Sequence, residues 1–100
     1  MDDLLIQRGQ EPARTRLVLL HGWGADARDL MPLGEYLSQA SGLAIECMAL
    51  NAPELHPAGS GRQWYGLFPE QWADAAQAVH ELKQRIEALD QRQIPLSKTV

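Results

Sequence analysis

Four large apolar residues in a row, Leu17-Val18-Leu19-Leu20, run directly into His21-Gly22-Trp23-Gly24. A short unbroken apolar run is what a strand covered on both faces looks like in sequence. Two glycines bracketing one bulky residue then demand a tight corner, because glycine turns without a Cβ penalty. A helix pattern follows soon after. The segment therefore predicts a buried strand, a sharp turn and a helix, with backbone N–H groups exposed at the turn.

The rest of the chain supplies partners for that unit. Leu4 to Ile6 is an apolar patch suited to an edge strand, and Gly9 to Arg14 reads as a turn. Ala25 to Arg28 is a polar connection. A helix fits Leu30 to about Ala40, with Asp29 as N-cap and Pro32 in the first turn, where its missing N–H does no harm. Leu30, Leu33, Leu37 and Ala40 form its apolar stripe, and Gly42 is a stop signal. Leu43 to Leu50 is a second strand candidate. Asn51 to Gln71 carries three prolines and three glycines and reads as a long loop, of the kind that is often functional. A second helix starts at Trp72, with Ala75, Ala76, Val79, Leu82, Ile86 and Leu89 on one stripe. Glu81 and Arg85 form an i,i+4 pair on its other face, and Pro95 ends the pattern. Ser97 to Val100 begins a third strand.

Strands alternating with helices predict an α/β fold with a doubly wound, mostly parallel sheet and right-handed crossovers. Functional groups in such sheets gather at the carboxyl ends of the strands. Here that rim holds His21 to Gly24 and the loop from Asn51, so connectivity alone brings the corner and the loop together.

Three readings fit the corner. In the first, the Trp23 N–H faces the negative charge that develops on an acyl-transfer intermediate, as one donor of an oxyanion hole. In the second, Gly22-x-Gly24-x-x-Ala27 is a phosphate-binding turn with Glu46 as a ribose ligand. Trp23 is awkward between glycines that must admit a pyrophosphate, the helix starts late, and Glu46 falls in mid-strand. In the third, the corner is a glycine turn without chemistry. His21 fits scaffolding better than base catalysis, its imidazole fixing the turn through backbone hydrogen bonds. His56 and His80 have no metal-ligand spacing and read as solvated. The loop cluster Arg62-Gln63-Trp64-Tyr65 has two readings: walls of an apolar acyl pocket with Arg62 anchoring the loop or meeting a polar head group, or aromatics pinning the loop to the core.

Composition narrows the classes. The net charge is −4 and no basic stripe exists, so nucleic acid is not an expected partner. Cys47 is alone, which excludes an intramolecular disulfide and a cysteine zinc cage, and its apolar neighbours predict a buried, inert thiol. No apolar stretch is long enough for a membrane span, and the acidic start, Asp2-Asp3, does not suit a signal peptide. A cytoplasmic location is expected. Ser38, Ser41, Ser60 and Ser97 all lie outside a Gly-x-Ser-x-Gly elbow, so the chain supplies no activated serine and cannot assemble a Ser-His-Asp triad.

Leu19-Leu20-His21-Gly22-Trp23-Gly24-Ala25-Asp26, Asp29-Leu30, Asn51-Ala52-Pro53 and Gly61-Arg62-Gln63-Trp64-Tyr65, in that order, resemble the start of an α/β-hydrolase. The likeness is to the phospholipase/carboxylesterase family, which includes acyl-protein thioesterase-like enzymes, and it covers nearly all of residues 15 to 100. It implies a serine hydrolase acting on carboxylic esters or thioesters without metal or organic cofactor. It gives Trp23 the oxyanion N–H and places Trp64 and Tyr65 by the substrate cleft. Gly22, Gly24 and Arg62 complete the expected substrate side. It also implies that the strand starting near Lys98-Thr99-Val100 leads into the serine elbow, with the acid and histidine later still. Residues 1–100 are then one partial domain, the incomplete N-terminal half of the fold, expected to be inactive alone. An exposed central edge predicts marginal stability, self-association, or pairing with a C-terminal complement. A non-enzymatic interaction fragment and a nucleotide-binding half-domain are the competing classes.

Overall fold

The computed structural model describes residues 3–7 and 12–100. Part of the expected Gly9–Arg14 turn lies outside the described residues. The fold is a mixed α/β arrangement of a small sheet and two helices. Strand β1 (Leu4–Gln7) pairs antiparallel with β3 (Ile45–Leu50), and β2 (Thr15–Leu20) pairs with β3 in parallel, giving the order β1-β3-β2. In register, Leu17 faces Cys47 and Leu20 faces Leu50. At the other edge of β2, Val18 N–H donates to Val100 O at 2.8 Å and Val100 N–H to Arg16 O at 2.9 Å. Ser97 and Lys98 fall in a 3-10 turn (Leu96–Lys98), so the strand expected over Ser97 to Val100 is reduced to a parallel bridge between Thr99 and Arg16.

The covered strand is β3. Cys47, Met48, Ala49 and Leu50 are all buried, and the core gathers around them with Ala27, Ala52, Leu89 and Ile94. The expectation of a fully covered β2 is corrected: Leu17 to Leu19 are half-buried and Leu20 is 46 % exposed. The helix over Met31–Ser41 packs on β3 and β1, whereas β2 meets the shorter Ala27–Leu30 turn, so the faces of β2 are less covered.

The first α-helix matches its expected bounds to within one residue, but a 3-10 turn precedes it, and Asp26, not Asp29, caps that turn. Its Oδ1 accepts the Asp29 N–H at 3.2 Å, and Asp29 Oδ2 accepts the Asp26 N–H at 3.0 Å, a reciprocal capping box. A 3-10 turn (Ala27–Leu30) leads into α1 (Met31–Ser41), which ends at Gly42 with φ +65°. Its buried positions are Gly34 and Ser38 rather than Leu33 and Ala40. Small residues at 34 and 38 let the helix approach β1 and β3 closely, which turns Leu33 outward.

Helix α2 (Trp72–Ala88) matches the expected start, but none of its residues is fully buried. Leu82 and Ile86 are half-buried and Val79 is 66 % exposed. Glu81 and Arg85 do pair, at 3.6 Å, yet Arg85 faces inward: its guanidinium donates to Asn51 O at 2.8 Å and to both Asp3 carboxylate oxygens at 2.7 and 2.9 Å. Arg85 thus ties α2 to the end of β3. Among the described residues no helix is long and apolar enough to cross a membrane.

A buried charge escaped sequence reasoning. Arg16, alternating with the apolar residues of β2, is fully buried. Its Nε meets Glu46 Oε1 at 3.5 Å, Nη1 donates to Thr99 Oγ1 at 3.1 Å, and Nη2 to Leu89 O at 3.4 Å.

Candidate functional site

The chain leaves β2 through a β-turn closed by the Ala25 N–H on Gly22 O at 3.2 Å. Trp23 and Gly24 are its central residues, and Gly24 has φ +85°. A positive φ at the second central position is the mark of a type II turn, so Gly24 is required there by backbone geometry. Gly22 is not: its φ is ordinary, and a Cβ built on it would meet nothing within 4 Å. Gly22 thus leaves open space beside the turn.

Two side chains at the strand ends hold this corner. His21 is buried, its Nδ1 lies 2.8 Å from Gly22 O, and its Nε2 accepts the Ala52 N–H at 3.0 Å. One neutral tautomer, with the proton on Nδ1, satisfies both contacts. Both ring nitrogens are occupied by backbone, which makes His21 scaffolding. Asn51, also buried, accepts the Ala27 N–H on Oδ1 at 2.8 Å, fixing the start of the helical segment to the end of β3.

The long loop is not structureless. Strands β4 (Glu54–Leu55) and β5 (Arg62–Gln63) form a small antiparallel ribbon within it. That ribbon docks on the corner: Gly24 N–H donates to Arg62 O at 2.9 Å, and Arg62 N–H to Ala25 O at 2.8 Å. Gly61 permits this approach, since a Cβ there would overlap the Gly24 carbonyl. The corner and loop therefore do meet.

The Arg62 guanidinium is directed at the loop itself, to Ala52 O through Nε and to Pro53 O through Nη2 at 2.8 Å. Trp64 donates its indole N–H to His21 O at 2.8 Å and stacks on the His21 ring. Tyr65 lies near Trp72, with ring centroids 6.0 Å apart. Leu20, Trp64, Tyr65, Ala78, Val79 and Leu82 line an open, almost wholly apolar cleft of about 190 Å³ next to the corner.

The Trp23 side chain is restrained from three directions. Its indole N–H donates to Gln63 Oε1 at 3.0 Å, and its ring makes edge contacts with His56 (4.1 Å) and Phe68 (5.4 Å). His56, expected in solvent, is half-buried in this cluster. Sequence reasoning missed it, and no local spacing could have found it. The backbone N–H of Trp23, by contrast, makes no hydrogen bond among the described residues. In a β-turn the first central N–H is directed outward, and here the next one, on Gly24, is already used by Arg62.

The position of Glu46 does not suit the phosphate-turn reading. It lies one residue into β3, opposite Arg16, and is committed to that guanidinium, far from the strand end where a ribose ligand belongs. The helical segment starts at Ala27 as a 3-10 turn, too late to present its N-terminus to a phosphate at Gly22–Gly24. Among the described residues no group of His, Cys, Asp or Glu is arranged for a metal. No described serine side chain hydrogen-bonds a histidine; Ser41 Oγ donates to Ser38 O.

No protein-family model matches the sequence, and no curated protein matches it. A solved structure does. The crystal structure of the esterase PE8 superposes on 98 % of this chain with a TM-score of 0.82 and 26 % sequence identity. The match takes up 49 % of the esterase chain, so this chain spans about half the length of that relative.

Proposed function

We propose that residues 1–100 are the N-terminal half of a single α/β-hydrolase domain, doubly wound when complete, from a serine esterase of the phospholipase/carboxylesterase type. The substrate class is carboxylic esters or thioesters, and the setting is the cytoplasm, where a lone free thiol is at home. The observation that carries this reading is the outward Trp23 amide, free at the end of β2 in a clamped turn, within a chain that superposes on half of an esterase. A single preorganised donor of this kind is worth about 2.7–4 kcal/mol to an acyl-transfer transition state.

Each site residue then has a role. Trp23 supplies the donor, and Gly24 shapes the turn. Gly22 leaves room for an acyl carbon and its nucleophile to approach. Arg62 holds the loop against the corner, Trp64 joins the loop to His21, and Tyr65 lines the apolar cleft. The nucleophile, acid and base come from a C-terminal complement, which adds a strand beyond Thr99–Val100 and covers the apolar cleft. The chain alone is inactive in this reading.

The test is reassembly. The 100-residue chain is co-expressed with the C-terminal half of a related esterase and assayed on a p-nitrophenyl ester. Turnover is expected from the pair and not from either half. Trp23→Pro removes the donor yet suits the first central position of a type II turn. It should lose about 10²–10³ in kcat relative to Trp23→Ala, which keeps the N–H. Equal rates in the two variants would remove the donor assignment, and turnover by the chain alone would overturn the half-site reading. Size-exclusion chromatography of the unpaired chain tells complement binding from self-association through the same edge.

A further inference from the structure

His56 sits in the connection between β4 and β5, against the corner that carries Trp23. Its Nδ1 accepts the Ala58 N–H at 3.1 Å, so the proton of the neutral ring is on Nε2. That Nε2 is buried and has no hydrogen-bond partner among the described residues. A buried N–H without an acceptor is costly, so what it faces matters.

Two measurements say what it faces. The His56 and Trp23 rings meet at a centroid distance of 4.1 Å with 70° between their planes. A Cβ built on Gly24 would lie 3.6 Å from His56 Cδ2 and 3.7 Å from Nε2, so the protonated edge of the imidazole is the one turned to the Trp23–Gly24 corner. We propose that His56 is a positioning residue for Trp23, its Nε2–H donating to the indole π face. Such a contact supplies the missing acceptor. Gln63 and Phe68 hold the indole from other directions, while His56 lies against the ring and beside Gly24. It thereby fixes the turn whose outward amide is the donor. The catalytic consequence rests on the esterase reading; the geometric claim does not.

The primary test is NMR on the unmodified 100-residue chain with isotope-labelled histidine. The expected result is a His56 ring protonated on Nε2, with that proton shifted upfield by the indole ring current. Trp23→Leu should abolish the shift. His56→Phe keeps a ring but no N–H, and should move the Trp23 backbone amide resonance. His80→Gln, at an exposed position of α2, should leave both signals in place. A proton on Nδ1, or a His56 signal indifferent to Trp23→Leu, overturns the proposal. These readouts contain no substrate and decide His56 even where reassembly yields no esterase. In an active reassembled enzyme, His56→Phe should lower kcat about tenfold with KM changed less than about twofold. An unchanged kcat overturns the positioning role.

Discussion

Trp64 and His21 are joined twice: the Trp64 indole N–H donates to the His21 carbonyl at 2.8 Å, and the two rings stack with centroids 5.3 Å apart. The loop is thus fastened to the residue that ends β2. Trp64→Phe keeps most of the stacking and removes the hydrogen bond. It should cost about 1 kcal/mol, seen as a drop in Tm of about 4–8 °C for a domain of this size.

The glycines of the corner should separate cleanly in a substitution series. Gly61→Ala combines φ +76° with overlap on the Gly24 carbonyl. It should cost about 3 kcal/mol or more, from strain and overpacking together. Gly59→Ala meets only the backbone penalty of φ +88° and should cost about 1–2 kcal/mol. Gly22→Ala meets neither and should stay within about 0.5 kcal/mol of wild type. In the reassembled enzyme Gly22→Ala should nevertheless reduce turnover if the open space beside Gly22 is the approach to the Trp23 amide proposed above. Urea denaturation beside ester hydrolysis checks the whole series.

Glu46 is the one carboxylate paired with the buried Arg16 among the described residues. Glu46→Ala strands that charge and should destabilise the fold by about 3 kcal/mol. Replacing both partners, Arg16→Met with Glu46→Leu, should recover most of the loss, because the desolvation cost leaves with the charges. Equilibrium unfolding of the single and double variants measures the difference.

Burial pushes the Cys47 thiol above its ordinary value. The fold therefore favours the protonated thiol. Its contribution is complete below the unfolded thiol's value of about 8.5 and is lost as pH rises through the higher folded value. At about pH 8 a thiol reagent should leave native Cys47 unmodified and label it fully in urea. Unfolding free energy should fall more steeply above about pH 8.5 in wild type than in Cys47→Ala.

The sequence announced the elements better than their neighbours. Strand, corner, two helices and the stop at Gly42 follow from local periodicity and turn chemistry. The burial of individual residues does not. Leu33 and Val79 lie on well-formed apolar stripes, yet Gly34 and Ser38 set how α1 meets the sheet, and the α2 stripe remains largely open. Asp29 was legible as a capping residue, but its role as the return partner of Asp26 depends on the 3-10 entry turn. The corner and its loop were legible as neighbours through strand connectivity. The residues that lock them, Asn51, His56 and Gly61, were not, because each acts on a partner distant along the chain.

Arg16 carries this distance dependence into synthesis. Two acceptors of its guanidinium, the Leu89 carbonyl and Thr99 Oγ1, stand 73 and 83 residues downstream. While the chain is being made from its N-terminus, β2 is complete long before either partner exists. With Glu46 alone in reach, the guanidinium keeps donors unpaired and resists burial, so the final packing of β2 against β3 depends on Leu89 and Thr99. The buried cation therefore makes the packing of an early strand conditional on two acceptors far along the chain.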